Sequence, residues 1–242
     1  MTLRRGNLGG NLAEMAESFS SPELDRLFDE GRERTFSTGE HLITEGASTE
    51  YFYDILDGTV ALARNGSDGR RQILAFLSAR QFLGVASTAR YPNLATALTP
   101  VTAISYSRSA LERALNTTPG FASKFRIALT LILESSHDHI YTIGQRSAVE
   151  RVASFLLYLR ANQARFAAEG PREKSEHVEL PMTRLDIADF LGVTIETVSR
   201  AFSYLKRRGI VSFTDSHSCE LIKMDRIREL GGRDDFTQHR GA

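Results

Sequence analysis

The sequence predicts an α+β protein made of a β-rich N-terminal unit, a long central helix and a C-terminal winged helix-turn-helix unit. Three observations carry this reading. From Arg34 to about Arg108, short apolar segments recur with turn residues between them, the pattern of a β-barrel or jelly roll. From Pro119 to about Gly144, Phe121, Phe125, Ala128/Leu129, Ile132/Leu133, Ile140 and Ile143 repeat at helical spacing. Between Met182 and Val211, two short helical patterns flank a glycine, which is the arrangement of a helix-turn-helix.

Residues 1–20 are rich in Gly, Asn and Ser and read as a flexible N-terminus. Ser21-Pro22-Glu23 then opens a short helix: Ser21 suits the N-cap, Pro22 the first helical position, and Leu24, Leu27 and Phe28 have helical spacing. The strand region follows. Thr35-Phe36 leads to a turn at Thr38-Gly39-Glu40, and His41-Leu42-Ile43 leads to Glu45-Gly46. Tyr51 to Leu56 stops at Asp57-Gly58, and Thr59 to Ala63 follows. Asn65 to Gly69 is a turn cluster ahead of Gln72 to Leu77, and Thr99-Pro100 separates Ala95–Leu98 from Val101–Tyr106. Ser109 to Leu115 is a short helix. Pro119 fits the first position of the long one, which is apolar on more than one side through Ile127, Leu129, Leu131 and Leu133. Two apolar faces suit a helix that packs on its own domain and on a partner. Gln145 to Asn162 is a further helix, residues 166–177 read as a loop or hairpin tip, and Val178-Glu179-Leu180 is a short strand.

Composition bounds the function. The chain has 242 residues, 41% hydrophobic and 25% charged, enough to bury a core without staples. No apolar run approaches the roughly 20 residues that span a bilayer. The N-terminus has charge but no apolar segment after it, so it is not read as a secretory signal, and a cytoplasmic protein is expected. Thirty basic residues balance thirty acidic ones. Any contact with nucleic acid must therefore come from local charge. Cys219 is the only cysteine, so one chain can form neither a disulfide nor a four-thiolate metal site. It is expected to be a half-buried strand residue.

Residues 182–211 carry the functional reading. Thr183 can cap the first helix, with Asp186 in its first turn. Leu185, Ala188 and Leu191 form an apolar stripe at spacing of three. Gly192 sits where the chain must turn sharply. Thr194 caps the second helix, Val198, Phe202 and Leu205 face inward, and Ile210 to Phe213 starts a wing that ends near Cys219 to Ile222. The outward residues are Ile195, Glu196, Ser199, Arg200 and Ser203. Glu196 and Arg200 stand one turn apart on one face. Arginine can bond guanine O6 and N7 together, and glutamate can accept from cytosine N4. Ser199 lies between them, and Lys206-Arg207-Arg208 suits phosphate contacts. The expected DNA-binding set is Thr183, Thr194, Glu196, Thr197, Ser199, Arg200 and Lys206.

At this point the chain closely resembles the Crp/Fnr family of bacterial regulators over roughly residues 20–225. Three pieces carry the resemblance: Asp186 to Arg200, Ser147 to Leu157, and Tyr53 to Val60. It implies an N-terminal jelly roll of the cyclic-nucleotide-binding kind, a long dimerisation helix and a C-terminal winged helix-turn-helix. The implied divisions are a flexible N-terminus (1–20), the jelly roll (21–118), the dimerisation helix (119–144), the DNA-binding domain (145–225) and a C-terminal tail (226–242). Glu196, Ser199 and Arg200 match the Fnr-type reader. That match implies an inverted repeat with TTG and CAA ends, with Arg200 on guanine, Glu196 on the opposed cytosine and Ser199 on thymine. It implies a homodimer with two reading helices about 34 Å apart in successive major grooves, and RNA polymerase as a further partner.

The departures are informative. Family members that bind cyclic nucleotides carry an acid and an arginine in the cassette that holds ribose and phosphate. Here Phe82-Leu83-Gly84-Val85-Ala86-Ser87 has Val85 at the acid, and Asn93 stands at the arginine. A buried phosphate would lack its counter-charge, so cAMP is not expected. The N-terminal cysteines of Fnr-type oxygen sensors are absent, which rejects an iron–sulfur cluster. What is left resembles the FixK-like branch, and implies an activator in low-oxygen, nitrogen-oxide or nitrogen-fixation control with no cofactor. The alternative is a haem- or small-ligand-gated sensor. His41, His137, His139, His177, His217 and His239 are the haem candidates, but His137 and His139 point to different helix faces. A third reading makes the jelly roll a ligand sensor and the C-terminal part a protein-contact module. No phosphate-binding glycine loop, metal cluster or nucleophile–base spacing points to an enzyme.

Overall fold

The computed structural model describes residues 11–166 and 176–232. It divides into two compact units, Met1–Ile132 and Leu133–Ala242. The division falls inside the long helix rather than at either of its ends.

The first unit opens with two helices, α1 (Asn11–Ala16) and α2 (Pro22–Glu30). Eight strands follow: β1 (Arg32–Phe36), β2 (His41–Ile43), β3 (Tyr51–Asp57), β4 (Val60–Asn65), β5 (Arg71–Leu77), β6 (Phe82–Leu83), β7 (Leu94–Ala97) and β8 (Val101–Ser107). They form two antiparallel four-stranded sheets, ordered β1-β8-β3-β6 and β2-β7-β4-β5. Alternation along the strands divides their side chains between two cores. Ile55 of β3 and Val101 and Ala103 of β8 point between the sheets, where they meet Leu42, Val60, Leu83, Ala95 and Ala97. Phe52 of β3 and Ile104 and Tyr106 of β8 point the other way, onto a helical cover. Gly58 turns β3 into β4 with φ +90°, and a Cβ there would lie 2.3 Å from the Pro100 carbonyl oxygen. Only glycine fits.

The helical cover is α1, α2, α3 (Arg108–Thr117) and the start of α4 (Pro119–Gln145). Ser21 caps α2 by accepting from the Leu24 N–H at 3.1 Å, and Ser107 caps α3. Phe121 and Phe125 of α4 enter the cover, where Phe125 stacks on Phe82 at 5.3 Å between ring centroids and lies 6.2 Å from Phe52. Burial of each ring contributes roughly 1.5–3 kcal/mol.

One expectation fails at the N-terminal end. Residues 11–16 are not frayed: they form α1, with Leu12, Ala13, Met15 and Ala16 buried. The anchor is Asp54 of β3, whose carboxylate accepts from the Leu12 N–H at 2.9 Å and the Asn11 N–H at 3.3 Å. The two-residue strand β6 was not expected either. Phe82 and Leu83 are too short a pair to show alternation.

The second unit holds the end of α4, then α5 (Ala148–Phe166), β9 (His177–Glu179), α6 (Arg184–Leu191), α7 (Ile195–Arg207), β10 (Val211–Ser212), β11 (Ser218–Leu221) and α8 (Met224–Gly231). The strands pair antiparallel in the order β10-β11-β9. The loop expected at 166–177 lies mostly outside the described residues. Residues 226–231 are not a tail, because they belong to α8, whose Ile227 is fully buried. Gly231 lies so close to α5 that a Cβ would meet Leu157 Cδ1 at 2.8 Å and the Ser154 nitrogen at 2.9 Å. No helix among the described residues is long and apolar enough to cross a membrane.

Candidate nucleic-acid interface

Helix α7 is placed by local chemistry. Thr183 and Asp186 form a reciprocal cap on α6: the Asp186 N–H donates to Thr183 Oγ1 at 3.1 Å, and the Thr183 N–H donates to Asp186 Oδ2 at 2.9 Å. This satisfies N–H groups that the first turn leaves without partners. Gly192 ends α6 in the left-handed region (φ 64°, ψ 40°), with its N–H returned to the Ala188 carbonyl. Thr194 then caps α7 by accepting from the Thr197 N–H at 3.3 Å. Arg151 of α5 braces the turn by donating to the Leu191 carbonyl oxygen at 3.0 Å.

The buried face of α7 is Val198, Ala201, Phe202 and Leu205. The buried face of α6 differs from the expected stripe. It is Ile187, Ala188, Phe190 and Leu191, and Leu185 is 52% exposed. Three residues at spacing of three drift by about 120° around a helix, so Leu185 and Leu191 cannot share a face.

The expected site residues separate into two groups. Glu196, Ser199 and Arg200 are exposed on α7 and, with Ile195, line one shallow open depression. Lys206 is exposed on the last turn of the same helix, followed by exposed Arg207 and Arg208. Thr183 and Thr194 sit at the helix starts, where their hydroxyls cap, and Thr197 is half-buried against Thr194, 3.1 Å between hydroxyl oxygens. The Glu196 carboxyl is held below its usual range by its own backbone N–H, the Thr194 hydroxyl and the charge of Arg200. It is therefore an ionised acceptor. Among the described residues, no ion pair within 4 Å ties Glu196 to Arg200, which leaves both polar ends open to solvent.

Other parts of the unit escaped sequence reasoning because their partners are distant in the chain. His139 of α4 stacks on Phe190 of α6, with centroids 4.1 Å apart and rings 17° from parallel. Burial pushes its imidazole below the ordinary range, against a hydrogen bond with the Phe190 backbone. The Arg184 guanidinium lies over the Phe202 ring at 3.8 Å. Cys219 is fully buried rather than half-buried, and burial pushes its thiol up to about 12 despite the nearby Arg184. That environment suits an inert thiol.

In the first unit, the Phe82–Ser87 segment has a different character. Gly84 takes φ +91° against the Tyr51 carbonyl, and Val85 is exposed. Tyr91 fills the space between the sheets and its hydroxyl is bonded to Tyr51, accepting from the N–H at 3.1 Å and donating to the carbonyl at 2.5 Å. Arg90 donates to the Gly46 carbonyl at 2.7 Å, and Arg108 is paired with Glu112 at 2.8 Å. Of the candidate haem ligands, His41 is hydrogen-bonded to Thr96 at 3.0 Å. Among the described residues, no group of three or more His, Cys, Asp or Glu is placed to hold a metal. His239 lies outside the described residues.

This geometry agrees with the chain's relatives. Residues 150–230 match the Crp-like helix-turn-helix domain, and residues 33–118 match the cyclic nucleotide-binding domain. The nitrogen fixation regulation protein FixK of Bradyrhizobium diazoefficiens is 36% identical over 198 residues, 82% of this chain and 81% of that protein. The chain belongs to the Crp/Fnr family. The transcriptional activatory protein AadR of Rhodopseudomonas palustris is also 36% identical, over 78% of this chain and 76% of its own. Among solved structures, FixK2 from Bradyrhizobium japonicum has a TM-score of 0.75 at 33% identity, covering 83% of this chain and 96% of that one. This Crp/Fnr protein is a DNA-binding transcription regulator and not an enzyme.

Proposed function

We propose that this regulator binds, as a homodimer, an inverted repeat with TTG and CAA at its outer ends. Arg200 takes the guanine, Glu196 the opposed cytosine and Ser199 the thymine. Lys206 and the cap residues Thr183, Thr194 and Thr197 lie toward the phosphates. The observation that carries this is the exposure of Glu196, Ser199 and Arg200 together on one capped helix. The names of its FixK and AadR relatives favour an activator in nitrogen-fixation control; low-oxygen control, the cytoplasm and RNA polymerase as a partner complete the reading we propose.

The reader works without a bound effector. A cyclic nucleotide does not fit the residues present. Arg90 and Arg108, close to the end of the Phe82–Ser87 segment, are already engaged, Val85 replaces an acceptor, and Tyr91 occupies the interior. The unpaired phosphate would be costly to bury.

Fluorescence anisotropy tests this directly, with purified protein, no added ligand, and a TTG/CAA duplex against a scrambled one. Selective binding is expected, and Arg200→Ala lowers the selective affinity by about tenfold or more, since a bidentate arginine–guanine pair is worth about 1–3 kcal/mol. Equal binding to both duplexes by the wild type overturns the reading.

A further inference from the structure

Arg184 breaks three local rules at once. It is the first residue of α6 after the Thr183 cap, where the positive end of the helix dipole disfavours a cation. Its guanidinium is partly withdrawn from water, which pushes its pKa down. Its Nη1 is buried and has no hydrogen-bond partner among the described residues. A leucine or methionine of similar reach would incur none of these costs. Violations that persist together mark a place where something other than stability is being held.

What surrounds the group shows what is held. The guanidinium carbon lies 3.8 Å from the centre of the Phe202 ring and 5.1 Å from that of Phe213. The two rings meet edge to face, 5.3 Å apart at 76°. Phe202 belongs to the buried face of α7, two residues beyond Arg200. Phe213 follows β10 and stands on the wing hairpin. A cation lodged in the angle of two touching rings gains most when it is desolvated. The wing is joined to the rest of the sheet only through β11, because β10 is an edge strand of two residues. Outside the sheet it meets α7 through the Ile210 N–H, which donates to the Leu205 carbonyl at 3.0 Å, and through Phe213 on Phe202; Arg184 adds a tie from α6.

We propose that Arg184 is a positioning residue whose guanidinium, lodged in the angle between the Phe202 and Phe213 rings, fixes the wing against the recognition helix. Arg200 and the wing are then presented to DNA as one rigid surface. The assignment rests on α7 being the DNA-reading helix.

Two variants of the full chain test it. Arg184→Met keeps the length and removes the charge; Arg184→Lys keeps the charge. Hydrogen exchange without DNA is read first. Amides in Val211–Leu221 should exchange about tenfold faster in the Met variant, with those of α5 unchanged, and the Lys variant should recover part of that protection. Wing exchange unchanged in the Met variant overturns the proposal, as does exchange that rises equally in α5. Affinity for duplex DNA against salt is read second. The Met variant should bind several-fold more weakly with an unchanged log–log salt slope. A slope reduced by about one unit would assign Arg184 to a phosphate instead. The exchange measurement contains no DNA, so it decides the positioning role even if the wild type shows no preference between duplexes.

Discussion

Asp54 lies wholly buried beneath the first turn of α1, with two backbone N–H groups for partners and, nearby, the Tyr106 hydroxyl, which has no hydrogen-bond partner among the described residues. Burial raises its carboxyl from 3.8 to about 7, although both N–H groups pull it back. The sign of its effect on stability follows. Between those two values the unfolded chain has released this proton and the folded chain retains it. The favourable contribution is full below about pH 4 and is lost as pH rises to about 7. Asp54→Asn removes the titration. In urea unfolding at pH 5 and pH 7.5, the variant should gain on the wild type at the higher pH, by an amount on the order of 1 kcal/mol or more. A difference that stays constant with pH would show that Asp54 does not titrate in this window. None of this was legible in the sequence, where Asp54 sits in an ordinary strand pattern and its partners are 42 and 43 residues away. Glu196, Ser199 and Arg200 were legible, because their exposure follows from the helical period and the cap beside them.

At the scale of elements, the same contrast separates α7 from α1. The thirteen residues of α7 carry a cap, an inner stripe and a basic end, all local signals. The six residues of α1 are fewer than two turns, too few for a period to show or for a helix to hold alone. Its stability is supplied by the sheet beneath it. Helix α4 is the opposite case, with more apolar surface than its own units cover. Ile127, Leu133, Ile140 and Tyr141 are all exposed, Ile140 by 62%. On the proposed pairing, these residues meet a second copy. Leu133→Asp and Ile140→Asp, made singly, should each shift the protein to monomer in sedimentation at micromolar concentration. Burying an unpaired carboxylate twice per dimer weakens association by more than about a hundredfold. A variant that stays dimeric would place the interface elsewhere.

The whole molecule has a core in each of two units, and the division between them falls inside α4, just before the polar run Glu134 to His139 that interrupts its apolar spacing. The β-rich unit was legible as a class through its turn residues, while its two-layer register was not, since pairing joins segments far apart in the chain. Its interior closes on Tyr91. Adding millimolar cAMP should therefore leave DNA affinity unchanged, and a fluorescent cyclic nucleotide should show no saturable binding. A saturable signal would mean that Tyr91 moves aside. On the proposed effector-free reading, the exposed stripe of α4 acquires a second meaning. Below the dissociation constant of the pair, mass action makes the amount of active dimer rise as the square of the number of chains. A cell that halves its supply of this protein would keep about a quarter of the active form, so synthesis and turnover alone could give its target promoters a threshold.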